Sequence, residues 1–322
     1  MKIESVCILG GSGFVGGHLV NRLRAAGLRC TVATRRPHRH RELQLGGVRV
    51  AGVSSFDRRE LTQLFEGHDA VINLVGILNS GLGGRFETVH VGIATVAAQS
   101  ARDAGARRLL HMSALNADPD GPSEYLRSKG RAERAVTTNA GAELGVTIFR
   151  PSVIFGPDDH FFNRFAGLLR LPGFLPLACP GARFAPVYVG DVAEAFARAL
   201  RDPHCAGEIY ELCGPEAMTL REVVDYTARH LHIEKPIIGL GDGVSRFQAR
   251  VLGWMPGKPF TLDNYASLRK PSLCESNGLN RLGIDPTPVD AVMPLELEGQ
   301  RMRLRYNRFR KLLPAFLRRR ES

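Results

Sequence analysis

The chain has 322 residues, 44% hydrophobic and 23% charged, the composition of an ordinary globular protein rather than a disordered or fibrous one. Its length suits one large α/β domain or two modest ones, and no apolar run reaches the ~18 residues a membrane-spanning helix needs. The net charge of +11 is unevenly spread. Residues 301–322 hold eight Arg, one Lys and one Glu, a net +8, and the other 300 residues carry only +3. The basicity therefore belongs largely to a C-terminal tail, and no aromatic-rich recognition module accompanies it, so a nucleic-acid partner is not expected.

The organising stretch comes first. An apolar run, Val6 to Leu9, reads as a buried parallel strand. Gly10, Gly11, Ser12 and Gly13 follow, then a helical pattern from Phe14 to about Ala26 that contains Val15 and Gly16. Strand, glycine turn and helix open a dinucleotide-binding βαβ unit. Gly10 lets the chain turn, Gly13 removes a side chain where backbone approaches a pyrophosphate, and Gly16 lets helix and strand pack closely. Free N–H groups at the helix start then face the phosphates.

Further strands are predicted at 29–34, 48–53, 70–75, 108–112 and 146–150. Asp57 and Glu60 form a capping box that opens a helix to about Glu66. A long helix, Thr88 to Ala104, is ended by Gly105. Another runs from Glu124 to about Thr138. This βαβα order predicts an α/β fold, a doubly wound parallel sheet of the Rossmann type, with its sites at the carboxyl ends of the strands. The dinucleotide-binding domain is expected over 1–156, with 186–206 returning to it; Asp191 is expected to cap the helix there. A smaller, discontinuous substrate or partner lobe is expected over 157–185 and 207–295, and a basic tail over 296–322.

An NAD site usually carries an acid at the end of the second strand, to hold the ribose 2′-hydroxyl. Here that strand ends Thr34-Arg35-Arg36. Guanidinium groups grip a 2′-phosphate instead, which favours NADP(H) over NAD(H); the alternative is a solvated basic loop with His38, Arg39, His40 and Arg41. Adenine contacts are assigned to Val53 and Ser54. Tyr125 and Lys129 stand four residues apart on one helix face. A free phenol has a pKa of ~10, and an ammonium one turn away is expected to favour the phenolate, making Tyr125 an acid/base. The same lysine can hold the nicotinamide ribose. Ser113 follows the fifth strand, where its hydroxyl can orient a substrate carbonyl.

These residues resemble the short-chain dehydrogenase/reductase superfamily, in its extended or atypical branch. The resemblance rests on residues 10–16, on Asn73-Leu74-Val75-Gly76, on Ser113 with Tyr125 and Lys129, and on Arg150-Pro151-Ser152-Val153-Ile154-Phe155-Gly156-Pro157. It covers about residues 1–200 and implies that Leu74, Val75 and Gly76 line the cofactor and that Pro151, Ser152, Val153 and Ile154 lie against the nicotinamide. Residues 111–117, 152–161 and 186–192 are also similar to the NADPH-containing accessory subunit of respiratory complex I and its bacterial relatives. That likeness implies bound NADPH without assured turnover.

Two readings follow. One is an NADP(H)-dependent oxidoreductase or epimerase acting on a small molecule or a quinone-like substrate through a Ser/Tyr/Lys site. The other is a nucleotide-binding accessory or assembly protein of a membrane respiratory or quinone system.

Six cysteines (7, 30, 179, 205, 213 and 274) form no C-x-x-C pair and are expected as reduced thiols in a cytosolic setting. Met1-Lys2-Ile3-Glu4 leads straight into the first strand, so no secretory signal is expected. Ten histidines show no metal-ligand spacing, and no metal is expected. His111 reads as a packed or hydrogen-bonded histidine near the site, and Asp158, Asp159 and His160 as a polar turn or substrate contacts. In the tail, Met302, Tyr306, Phe309 and Leu313 recur at helical spacing among arginines. That pattern suits an anionic membrane surface or an acidic protein partner, or a helix docked on the protein's own body. Location on the cytoplasmic face of a membrane follows from the first option. Oligomeric state is not legible.

Overall fold

The computed structural model describes residues 2–79, 86–255 and 257–299. The basic tail expected at 301–322 lies outside the described residues. The first half runs β1 (Ser5–Leu9), α1 (Phe14–Ala25), β2 (Arg29–Thr34), α2 (Arg41–Leu45), β3 (Arg49–Gly52), α3 (Arg58–Phe65) and β4 (Ala70–Asn73). A π-helical turn, Glu87–Gly92, leads into α4 (Ile93–Asp103), followed by β5 (Arg108–Met112), α5 (Glu124–Ala140) and β6 (Gly145–Pro151). Next come β7 (Ile154–Phe155), α6 (Phe162–Leu169), β8 (Leu175–Leu177), β9 (Arg183–Phe184), β10 (Val187–Tyr188) and α7 (Val189–Arg201). The chain continues with β11 (Ile209–Leu212), β12 (Met218–Thr219), α8 (Leu220–Leu231), β13 (Ile237–Gly239), α9 (Asp242–Leu252), α10 (Leu262–Leu268) and α11 (Gly278–Arg281).

Seven parallel strands form the central sheet, in the order β11-β6-β5-β4-β1-β2-β3. Alternation along β1 shows how it is held. Val6 and Ile8 face the layer of α1 and α7, with Leu19, Leu23 and Phe196. Cys7 and Leu9 face the layer of α3, α4 and α5, with Leu61, Phe65, Ala97 and Val136. Both faces are covered, so β1 and β5 are wholly buried, as parallel strands require. Each fully buried Phe or Leu in these layers contributes about 1.5–3 kcal/mol.

Strand β11 falls within the stretch expected to form a separate lobe, yet it pairs with β6 at the sheet edge. Leu279 and Ile284 join the layer of α1 and α7 beneath it. Four residues were too short a run to show that affiliation by period. Around α6 and α8 two further apolar clusters form, one with Phe155, Phe162 and Val223, the other with Leu169, Leu175 and Val224. Short ribbons, β8–β13 and β9–β12, border them.

Two expectations about linkage are corrected. Asp191 does not cap α7: it sits inside the first turn, and its carboxylate accepts from the Thr287 amide (2.7 Å) and hydroxyl (2.9 Å), tying the helix to the C-terminal segment. The cysteines are not all reduced. Cys213 and Cys274 form a disulfide, although 61 residues separate them, because residues 271–277 return alongside the end of β11. Asn277 Nδ2 donates to the Cys213 carbonyl there (2.8 Å). Cys7, Cys30 and Cys205 are free and buried.

Candidate nucleotide and catalytic site

The glycine turn is built as the sequence suggests. Gly10 has φ of 80°, a conformation that disfavours any side chain, and the Gly13 amide donates to its carbonyl (3.1 Å). A Cβ on Gly16 would stand 2.4 Å from the Gly10 oxygen, so α1 lies directly on the turn. Gly13 differs. A Cβ there would meet only the Gly10 oxygen, at 3.4 Å, an ordinary contact. Neither packing nor φ within the protein demands glycine at this position, whereas a phosphate group approaching the backbone would. Gly13 is also the N-cap of the twelve-residue α1, with no side chain bonded to the first-turn amides. Those N–H groups, with Ser12, Phe14 and Val15 beside them, form a cradle that fits a pyrophosphate.

At the end of β2, Thr34 is buried and its hydroxyl accepts from the Arg36 amide (3.3 Å). Arg35 and Arg36 are exposed, and their guanidinium groups have no partner among the described residues. Val53 is buried, and its amide donates to the Thr34 carbonyl (3.0 Å). The Ser54 amide and hydroxyl both engage the Glu60 carboxylate (2.7 and 2.8 Å). Asp57 caps α3 as expected, accepting from the Glu60 amide (2.9 Å). Glu60, however, reaches past the cap to Ser54, Ser55 and Phe56, which holds its carboxyl down at about 2.

The ends of β4 and β5 and the helix α5 carry the candidate residues, and Lys129 is the one placed beside Ser113. Lys129 is buried, and its Nζ donates to the Met112 carbonyl (3.1 Å), one residue from Ser113. A Cβ on Gly76 would lie 3.1 Å from that Nζ, so the lysine passes beneath residues 74–76, the segment that also backs Gly10. Burial lowers its pKa to about 8, with Glu133 partly opposing. Ser113 is buried, and its Oγ has no partner among the described residues. Its amide is anchored to the Phe149 carbonyl (2.7 Å).

Two residues back, His111 is fully buried. The Asn73 carboxamide oxygen accepts from the Val75 amide (3.1 Å), which turns its Nδ2 toward His111 Nδ1 (3.3 Å). That leaves the proton on Nε2, which has no partner among the described residues. Burial drives the His111 pKa down to about 3, with Lys129 adding to the effect.

Tyr125 departs from expectation. Its pKa is pushed up to about 12, first by burial and then by Asp263. Lys129 points toward the sheet, and α10 supplies a carboxylate at the start of α5. Asp263 accepts from the amides of Glu124 (2.6 Å) and Tyr125 (3.2 Å), and Ser267 Oγ donates to Ser123 Oγ (2.7 Å). The phenol is therefore held protonated rather than as phenolate.

Sequence reasoning also missed His90. It was read as part of a regular helix, but the turn is π-helical, a geometry frequent at functional sites. His90 Nε2 accepts from the Ile77 amide (3.0 Å), so Nδ1 carries the proton and donates to Ser128 Oγ (2.8 Å). Ser128 Oγ in turn donates to the Tyr125 carbonyl (2.8 Å). The His90 and Phe86 rings pack edge-on against the Tyr125 ring, at 5.7 and 6.0 Å. No local pattern marks such a residue; only the fold reveals it.

Beyond β6, the Ser152 hydroxyl meets the Ser272 carbonyl (2.9 Å) and hydroxyl (3.0 Å), and the Ser152 amide donates to Leu212 O. The Pro151 carbonyl accepts from the Leu115 amide, the Val153 carbonyl accepts from the Val187 amide, and Ile154 pairs with Val187. Asp159 is buried and accepts from the amides of Gly156, Phe161 and Asn163, so it organises a turn. His160 stacks edge-on against Phe14, at the start of α1.

The fold and the glycine cradle define a Rossmann-type nucleotide-binding protein. The chain belongs to the NAD dependent epimerase/dehydratase family, which residues 6–213 match. It is 30% identical over 297 residues to mouse mitochondrial NADH dehydrogenase (ubiquinone) 1 alpha subcomplex subunit 9, covering 88% of this chain and 77% of that one. The Arabidopsis thaliana subunit of the same name is 31% identical, over 87% of this chain and 73% of that one. A ceramide reductase of Caulobacter vibrioides is 33% identical, over 62% of this chain and 61% of that one. The structure superposes on MoeE5 bound to UDP-glucuronic acid and NAD with a TM-score of 0.71, at 18% identity over 94% of this chain and 99% of that one. The Escherichia coli NADPH-dependent quinone oxidoreductase in complex with NADPH gives 0.71, at 18% identity over 93% and 99%. Among the described residues no helix is long and apolar enough to cross a membrane.

Proposed function

We propose that this protein binds NADP(H) along the carboxyl edge of its sheet and reduces a carbonyl of an apolar, quinone-like small molecule. The carrying observation is the buried Ser113 Oγ, without a partner, at the end of β5 beside Lys129. A buried hydroxyl left unpaired costs about 1–3 kcal/mol, which a ligand oxygen at that point recovers. In this reading Gly10 to Gly16 hold the pyrophosphate, and Arg35 and Arg36 grip a 2′-phosphate. Val53 and Ser54 border the adenine, Leu74 to Gly76 line the cleft, and Lys129 anchors the nicotinamide ribose near residues 151–154. Bound NADPH would supply the hydride. Ser113 orients the carbonyl, and Tyr125, kept protonated by burial and Asp263, gives a proton to its oxygen.

A second reading has NADPH bound without turnover, as a fixed part of an accessory protein of a membrane respiratory or quinone system docked through residues 301–322. It is supported by the relatives that span 87–88% of the chain, which are named as subunits of mitochondrial NADH dehydrogenase (ubiquinone). One experiment separates the two. The purified protein is assayed for its bound nucleotide, then for NADPH and NADH oxidation with quinones, ketones and nucleotide sugars. Turnover abolished by Tyr125→Phe supports the reductase. Tight NADPH without turnover, with membrane binding lost on deleting 301–322, supports the accessory role. Retained NADPH preference in an Arg35→Ala/Arg36→Ala variant overturns the 2′-phosphate assignment, and binding of neither nucleotide overturns both readings.

A further inference from the structure

Helix α9 has its side chains reversed from the usual order. Its buried residues are small, Ser245 and Ala249, one turn apart on the face toward β8. The Ser245 hydroxyl meets the Leu240 carbonyl and the Cys179 amide, and Gln248 reaches Pro176. The large apolar residues point outward. Val244, Phe247 and Val251 recur at helical spacing, with Phe247 67% exposed. Trp254, the only tryptophan of the chain, follows immediately at 89% exposure, with Met255 beside it. A folded protein rarely leaves such a contiguous stripe to water without a use for it.

Charge identifies the use. Residues 241–270 hold five basic and two acidic side chains. Both acids are engaged: Asp242, exposed at the start of α9, accepts from the Tyr265 hydroxyl (2.6 Å), and Asp263 from the first amides of α5. Arg246, Arg250, Arg269 and Lys270 are exposed. An apolar stripe with Trp and Phe, flanked by arginines and with a single exposed acid, Asp242, at its start, complements an anionic lipid surface. It repels a basic segment such as residues 301–322. We propose that α9 and residues 254–255 dock in the interface of an anionic bilayer, so the folded body itself touches the membrane independently of the tail. This inference does not depend on whether the nucleotide site turns over.

Trp254 reports directly. With vesicles of equimolar phosphatidylcholine and phosphatidylglycerol, emission of the full chain shifts to the blue and is quenched by bromine placed on the acyl chains. Both effects persist after deletion of 301–322. Phe247→Ser with Val251→Ser lowers partitioning at least about tenfold, and Arg246→Gln or Arg250→Gln about fivefold each. The thermal midpoint stays unchanged, since none of these side chains is buried. The proposal is overturned if Trp254 emission is unmoved while the protein binds vesicles, or if deletion of 301–322 removes all binding. It is also overturned if the emission is already blue without lipid and reddens on dilution, since copies of the chain then cover this face.

Discussion

Gly16 and Gly17 are adjacent in α1 and make opposite predictions. A Cβ at Gly17 meets nothing within 4 Å, and the residue is helical. Gly17→Ala therefore gains helix propensity and stabilises by about 0.5–1 kcal/mol. At Gly16 the same methyl would stand 2.4 Å from the Gly10 oxygen and 2.6 Å from the Gly11 backbone. Real Cβ contacts rarely fall below 3.0 Å, so the helix must retreat by at least about 0.6 Å, and the obstructing atoms are backbone that cannot rotate away. Overpacking of this kind costs about 1–3 kcal/mol. After the propensity gain, Gly16→Ala is expected to destabilise by about 1–2 kcal/mol, or roughly 1.5–3 °C in the melting midpoint for a chain of 322 residues. Because the turn opens, NADPH affinity should fall with it, while Gly17→Ala retains affinity. Thermal unfolding and a nucleotide titration on the two variants measure both effects. Equal stability of the two variants would refute the close-packing argument.

Ser113→Ala removes a buried hydroxyl that has no partner among the described residues, so it should leave stability unchanged or raise it by up to about 1 kcal/mol, and in the reductase reading it abolishes turnover. A large loss of stability would mean that Ser113 is already hydrogen-bonded. His90 and His111 are held near pKa 3, against 6.5 ordinarily. Above about pH 6.5 both states are neutral and pH has no effect through them. As pH falls from 6.5 toward 3 the unfolded chain takes up protons that the folded chain refuses, so stability falls, by up to about 1.4 kcal/mol per pH unit per histidine. His90→Gln should flatten that slope by one proton's worth in urea titrations run across this window; an unchanged slope would mean that His90 charges in the folded state. Replacing Cys213 and Cys274 together by Ser, or reducing them, should cost about 2–4 kcal/mol, given the 61-residue separation; urea midpoints unaffected by reductant would contradict this.

The first half of the fold was legible because its signals are local. Val6 to Leu9, the glycines and α1 lie within twenty residues, and each buried strand declares itself as an apolar run. Ser113, Tyr125 and Lys129 could be named from spacing and resemblance, but not their ionisation. That depends on Asp263, 138 residues beyond Tyr125, and on the lysine turning to Met112 O rather than to the phenol. The role of Asp191 and the Cys213–Cys274 bond were hidden for the same reason. Their partners lie on a segment whose course is fixed by the edge of the sheet and not by its own composition. His90 was illegible because an extra residue in a helical turn has no sequence period.

The bond between Asp263 and the first amides of α5 also orders events during synthesis. The glycine cradle is built from residues 5–34 and 70–76, which leave the ribosome early. Ser123 caps the start of the Tyr125 helix locally, and the Asp263 carboxylate can join it only when residue 263 has emerged, 139 positions after Glu124. The growing chain therefore has the strands and glycine turn of the cradle in hand well before the last contacts to the first turn of α5 can form.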